Sequence, residues 1–475
     1  MADDSDPDTE LLPVHPSPGA RPARSIWVGE DGPAPVEVTN ADVRPFSHGN
    51  GTQFSEVAST YQARHLIETT SKKPKSQANS HRSQTRLLGV DVARGMAFLG
   101  MVIIHILPGY DENSGGPTPI WTIFSGNAAA LFALLAGVSL AFMTGGRSPY
   151  TGAKRIRALV SIATRSLILL VIGMTINLVG EASGVLNILP YYGLMFFIAI
   201  PLTLFRVRWL ILIAFIFASV GPFLVFSAYD LVGDPFTGNP TILDLFTRPS
   251  EVFTILTFTG AYPSVTWALY LCVGIALGRL SLHRERTQVA MVIVGTVIAV
   301  FSKITSFILL ARQGGREAIF DATKELALAD FRDLQIFGPE SYYPTTTYWW
   351  LAVDAPHSNT PFAMTFSLGV AMAVLGLVLL LSKYLMNWLA CFANMGSMSL
   401  TLYAMHLILV GIVDVTPHPT FWFIAQVVFA VAFAVIWALT VGPGPLEKLV
   451  SRASKAVGSA FIPERTRPQK AAQDH

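Results

Sequence analysis

Cysteine and charge are what this chain of 475 residues has least of. Its two cysteines, Cys272 and Cys391, both fall inside apolar runs. That excludes a disulfide framework and leads us to expect two buried thiols. Charged residues make up 13% of the chain, where soluble domains carry about 25%, so an ordinary soluble enzyme is excluded. The formal net charge of +2 supplies no basic surface, and nucleic acid is not an expected partner. No CxxC, HExxH or GxxxxGK spacing occurs, so neither a metal centre nor a phosphate-cradling glycine loop is expected. The opening MADDSDPDTELLPVHPSPGA has no apolar h-region. We therefore expect no secretory signal and a start that stays in the cytoplasm.

What is abundant is apolar: 52% hydrophobic residues and a mean hydropathy of +0.48. Residues 1–85 stand apart, rich in Pro, Ser and charge and without sustained periodicity. Such a segment buries too little surface to offset its ordering entropy and reads as a disordered cytoplasmic tail. It ends in Lys72, Lys73, Lys75, His81, Arg82 and Arg86, suited to an anionic inner leaflet. Ten apolar stretches follow, at 87–107, 119–143, 158–180, 186–205, 209–229, 262–280, 287–311, 360–382, 388–413 and 419–441. Each is long enough to cross a bilayer. The short connections assigned to the inside hold ten Lys and Arg; the outer ones hold only Arg248, apart from 312–359. The positive-inside rule then places both termini in the cytoplasm. The expected fold is an all-α integral membrane protein: about ten transmembrane helices in one bundle over 86–445, and a cytoplasmic C-terminal tail over 446–475.

The outer segment 312–359 is long enough to form an ordered lid. Within it, 316–334 reads as one short amphipathic helix, and YYPTTTYWW as an aromatic cluster suited to the lipid headgroup level. There is no internal repeat of the kind secondary transporters show.

The first span, RLLGVDVARGMAFLGMVIIH, organises the rest. It carries Asp91, Arg94 and His105, and ionisable groups within a span face a protein interior or a watery path. Arg94 and His105 are eleven residues apart, close to three turns, and share a stripe near its two ends. Topology puts His105, Asn127, His406 and His357 in the outer third of the membrane, with Tyr191 and Tyr192 opening span 4 from outside. Histidine is the usual general base, and an amide is a fitting partner. The plainer roles are packing beside Gly126 for Asn127, a cross-helix hydrogen bond for His406 and a loop cap for His357. On the inner side Arg94, Arg165 and the loop arginines, Arg279 among them, form a basic mouth whose guanidinium forks suit phosphates, with Asp91 paired to Arg94. The plainer role there is to set topology.

Laid out this way, the chain resembles the transmembrane acyltransferase superfamily. LLGVDVARGMAFLGMVIIH looks like the family's first helix, and NAAALFALLAGVSLAF, GAYPSVTWALYLCVGIALGR, PHSNTPFAMTFSLG, MGSMSLTLYAMHLIL and GPLEKLV extend the likeness over about 86–450. The nearest resemblance is to actinobacterial proteins grouped with the heparan-α-glucosaminide N-acetyltransferase family. The R-x10-H pair of span 1 is like that of the acyltransferase type 3 branch. The glucosaminide branch has its key histidine in the next loop, and this chain has none between Pro108 and Pro119. The resemblance implies a multi-pass enzyme of a bacterial plasma membrane. It would move an acyl group, typically acetyl, from cytosolic acyl-CoA to a hydroxyl or amine of an envelope glycan or glycolipid, without a metal. His105 is then the base or acyl carrier, Asn127, His406 and His357 its companions, and the arginines the holders of CoA. The partners are the lipid bilayer and the glycan acceptor, with a homodimer left open. A transporter or flippase using the same polar path is the rival reading.

Overall fold

The computed structural model describes residues 87–180, 184–232, 238–339 and 342–461. The expected disordered tail over 1–85 lies outside the described residues, as do residues 462–475. The chain runs through α1 (Leu88–Ile106), a two-stranded ribbon (Tyr110–Asp111 with Gly116–Pro117), α2 (Pro119–Phe124), α3 (Asn127–Met143), α4 (Gly152–Gly180), α5 (Leu189–Leu202) and α6 (Val207–Val232). Next come α7 (Pro249–Thr254), which runs into a π turn over Ile255–Thr259, α8 (Ser264–Gly278) and α9 (Glu285–Ala311). A cap follows, with α10 (Gly315–Ala322), α11 (Leu328–Phe337) and a 3₁₀ turn over Tyr348–Ala352. The rest is α12 (Pro361–Leu381), α13 (Met386–Ser397), α14 (Ser399–Ile412), α15 (Pro419–Thr440) and α16 (Pro445–Phe461). Prolines open α2, α12 and α15, where the missing N–H costs no helical bond.

Among the described residues seven helices are long and apolar enough to cross a membrane, or nine if each of two bent pairs is one crossing. The chain is thus an all-α, multi-pass membrane protein. Large apolar side chains cover its outer faces, among them Phe301 and Phe307 on α9 and Phe421 and Val428 on α15, as lipid contact requires. The expected crossing over 186–205 contains α5, which has 14 residues; at 1.5 Å each that is about 21 Å, short of a core about 30 Å thick. Close helix approach is made by small residues. A Cβ on Gly295 would lie 2.5 Å from the Gly369 carbonyl oxygen, and the reverse also holds, so α9 and α12 touch backbone to backbone. We call the end of the bundle where α1 begins lower and the end where it finishes upper.

Five expectations change. The stretch 388–413 is not one helix: α13 and α14 meet at 71°. Gly396, just before the bend, backs onto the Asp91 carbonyl of α1, and the new helix start is capped from outside, as described below. Residues 316–334 break between α10 and α11, because Ile319 and Phe331 both enter one core. That core is built on Trp350 and Tyr343, 0% and 7% exposed. The aromatic cluster is therefore the inside of the cap, and of its residues named here only Tyr348 is exposed. The segment after 445, read as a tail, is helix α16, which buries Val450, Ser454 and Gly458 against the bundle. Cys272 is buried as expected, whereas Cys391 is only half-buried.

Candidate active site

Asp91 and Arg94 sit one turn apart on α1, and Arg94 Nη1 donates to Asp91 Oδ1 at 2.7 Å. Arg94 Nη2 reaches across to Ser139 Oγ on α3 at 2.6 Å. Asp91 is 4% exposed and, while it aims the guanidinium, does not itself line the cavity that Arg94 faces. That lower cavity holds about 270 Å³ and is lined by Arg94, Ser139, Arg165, Phe132, Tyr192, Tyr403 and Glu447, among others. The Nε of Arg165 is buried there with no hydrogen-bond partner among the described residues. At the other end of the cavity the buried Tyr192 hydroxyl is equally unpartnered. Its ring is stacked on Phe132 at 5.8 Å.

Glu447 is committed elsewhere. Its carboxylate accepts from the backbone N–H of Leu400 at 2.8 Å, from that of Thr401 at 3.2 Å and from the Thr401 hydroxyl at 2.6 Å. These are first-turn donors of α14, which has no side-chain cap of its own. A carboxylate at a helix start satisfies orphan N–H groups and suits the dipole. The amphipathic α16 thereby fixes the helix that carries His406.

Near the upper end, His105 of α1 and His406 of α14 are joined Nδ1 to Nε2 at 2.9 Å. His406 Nδ1 lies 2.6 Å from Gln426 Oε1 on α15. With the carboxamide oxygen turned to it, His406 Nδ1 carries the proton and its Nε2 the lone pair. His105 Nδ1–H then donates to His406, and His105 Nε2 keeps a lone pair. The tautomer is set from Gln426 by relay, which prepares His105 for base work. His406 is 3% exposed and His105 half-buried; His406 and Gln426 also line an apolar groove of about 300 Å³ between α14 and α15.

Asn127 and His357 belong to a second, upper cavity of about 280 Å³. It is bounded by the start of α3, the cap and α12, with Trp121, Trp267 and Tyr270 as aromatic walls. Ser125 Oγ, Asn127 Oδ1 and His357 Nδ1 are buried in its lining without hydrogen-bond partners among the described residues. Gly126, at φ +71°, turns the chain so that Asn127 can begin α3. His357 itself has φ +57°. Burial pushes its pKa down to about 4, so the ring is neutral at pH 7. The Lys303–Asp354 ion pair, 2.8 Å, closes the rim.

The residues singled out from sequence thus fall into three places: Arg94 and Arg165 at the lower cavity with Asp91 behind Arg94, His105 with His406 near the upper end of α1, and Asn127 with His357 at the upper cavity. Arg279 does not join them. Its guanidinium donates to the carbonyls of Thr203 and Phe205, so it caps the end of α5 instead of lining the cavity. Gln426, Ser139 and Ser125 were not anticipated. Tyr192 was noted without a role, and Glu447 only within the closing GPLEKLV. An amide or hydroxyl in an apolar helix is common; only the facing partner distinguishes these.

Residues 86–313 match the family model described as heparan-alpha-glucosaminide N-acetyltransferase, catalytic. That is just under half of the chain. It takes in both arginines, His105, Asn127 and Tyr192, and stops before His357 and His406. No curated protein matches the chain.

Proposed function

We propose that this protein is a membrane acetyltransferase. Acetyl-CoA enters from the cytoplasm at the lower end, and the acceptor, a hydroxyl or amine of an envelope glycan or glycolipid, enters above. The observation that carries the reading is the hydrogen-bonded His105–His406–Gln426 chain near the upper end of α1. The match of residues 86–313 to an acetyltransferase family supports the same reading.

The lower cavity fits the donor's arm: it is polar at Arg94 and Arg165, and the orphaned Tyr192 hydroxyl is in its lining. That hydroxyl donates to the acyl carbonyl oxygen, where negative charge develops. The acceptor's sugar-like face lies on Trp121 and Trp267, its hydroxyls meeting Ser125, Asn127 and His357. As the acceptor oxygen or nitrogen attacks the thioester carbon, the new C–O or C–N bond forms and the C–S bond breaks. His105 Nε2 takes the acceptor's proton and returns it to the leaving thiolate.

The test is His105→Ala and His105→Gln in purified, detergent-solubilised protein supplied with radiolabelled acetyl-CoA and envelope glycolipid extract. Transfer should fall about 100-fold or more while acetyl-CoA binding is kept. Full transfer by a well-folded His105→Ala protein would remove His105 from the chemistry.

A further inference from the structure

A second concavity adjoins the lower cavity. The lower cavity's wall residue Met143 also lines this wider basin of about 440 Å³ at the lower surface, between α4 and α16. The basin is ringed by Lys154 and Arg157 of α4 and Lys455 of α16, with the hydroxyls of Ser161 and Ser454 between them. None of its described lining residues is Asp or Glu. The two helices are pinned here, since a Cβ on Gly458 of α16 would stand 3.1 Å from Arg157 Cγ. Lysines and arginines facing the cytoplasm are ordinary topology signals. Three of them around a concavity that shares a wall residue with the lower cavity are not accounted for in that way.

Length decides the matter. Gly193, beside Tyr192, packs on Leu170 of α4, so Tyr192 stands at the level of Leu170. Arg165 is five residues lower, about 7–8 Å at 1.5 Å each. In CoA, thirteen bonds separate the thioester sulfur from the first phosphorus. At an extended-chain advance of about 1.2 Å per bond that arm is about 15 Å long. A thioester held at Tyr192 therefore puts the phosphates well below Arg165. Counting down α4, Ser161 lies about 14 Å and Arg157 about 20 Å below Leu170, which brackets the arm's end. Arg94 and Arg165 then face its amide and hydroxyl oxygens.

We infer that the basin formed by Lys154, Arg157 and Lys455 binds the phosphates of the acyl-CoA donor, with α16 supplying one side of the site. The inference rests on the donor assignment above and extends it to residues with no assigned role. It also gives α16 a purpose beyond capping α14.

The test compares acetyl-CoA with S-acetylpantetheine, which has the arm and thioester but no phosphate. Equilibrium binding is measured on wild type and on the triple variant Lys154→Gln, Arg157→Gln, Lys455→Gln, in neutral detergent. Wild type should prefer acetyl-CoA, with an affinity that falls as salt rises. The variant should lose acetyl-CoA affinity about 10–100-fold, as expected for removing charge-assisted phosphate contacts, and bind S-acetylpantetheine as before. Equal loss for both ligands, or no loss for either, overturns the inference. So does a variant that differs only in its stabilisation by phosphatidylglycerol vesicles, which would make the basin a lipid-headgroup site. If wild type binds neither thioester, the donor assignment itself fails, and that outcome is distinct from failure of the basin.

Discussion

At the scale of single residues, histidine and arginine were legible because each is costly within an apolar run. His105, His406, Arg94 and Arg165 announced themselves by type and depth alone. Their partners did not. Gln426 lies twenty residues from His406 and Ser139 forty-five from Arg94, and nothing local marks either. Arg279 misled for the same reason: a guanidinium at a helix end serves phosphates or carbonyls equally well, and the carbonyls are more than seventy residues away. His357 yields the prediction proper to this scale. Its folded pKa of about 4 lies below the unfolded value of about 6.5. Between those values the unfolded chain binds more protons than the native one. Stability from neutral His357 is thus present above pH 6.5 and is lost as pH falls toward 4. His357→Asn suits the same left-handed backbone and cannot titrate. Thermal unfolding across pH 4–7 should fall more steeply for wild type than for His357→Asn, by up to about 1.4 kcal/mol per pH unit. Parallel curves would show that His357 is not the group concerned.

At the scale of elements, apolar runs of a bilayer's length were read correctly as helices, and the breaks inside and after them were not. The bend at Met398 depends on a contact with α1 and a cap from α16, both remote in sequence. The segment from 446 was read only as a C-terminal tail, although Val450 and Ser454 of α16 are 1% exposed. The aromatic cluster was visible, but only the cap's own core shows that Trp350 points inward. The strap over 348–360 is held by that ring, by Ser306 Oγ donating to the Ala352 carbonyl at 2.6 Å, and by Lys303 on Asp354. It carries His357 into the upper cavity. Trp350→Ala should cost about 3–5 kcal/mol within the cap, read as a lower unfolding midpoint and faster proteolysis over 312–359. Acetyl-CoA binding at the lower cavity should be unchanged while transfer falls. Equal loss of both would mean that cap and lower cavity unfold as one unit.

At the scale of the whole molecule, the question that separates a transferase from a transporter is whether the two cavities join. No described lining residue is common to both. Along α3, which borders each, Asn127 faces the upper cavity and Phe132 the lower, five residues or about 7–8 Å apart. Phe132, Tyr192 and Tyr403 fill that layer, and Tyr403 lies 6.3 Å from His406 by ring centroids. A group transferred between substrates needs only a thioester carbon to reach through such a layer, whereas a transported solute needs the layer to open. The two behaviours leave different chemical footprints. In a background with Cys272→Ala and Cys391→Ser, cysteines are placed at Ala136 for the lower cavity and Ser367 for the upper. A membrane-impermeant maleimide applied outside intact cells should label the Ser367→Cys protein and spare the Ala136→Cys protein. In inverted vesicles the pattern should reverse, and acetyl-CoA should protect the Ala136→Cys thiol. Labelling of Ala136→Cys from both sides would mean that the layer opens to water, and the polar seam would then be a transport path rather than a site of acyl transfer.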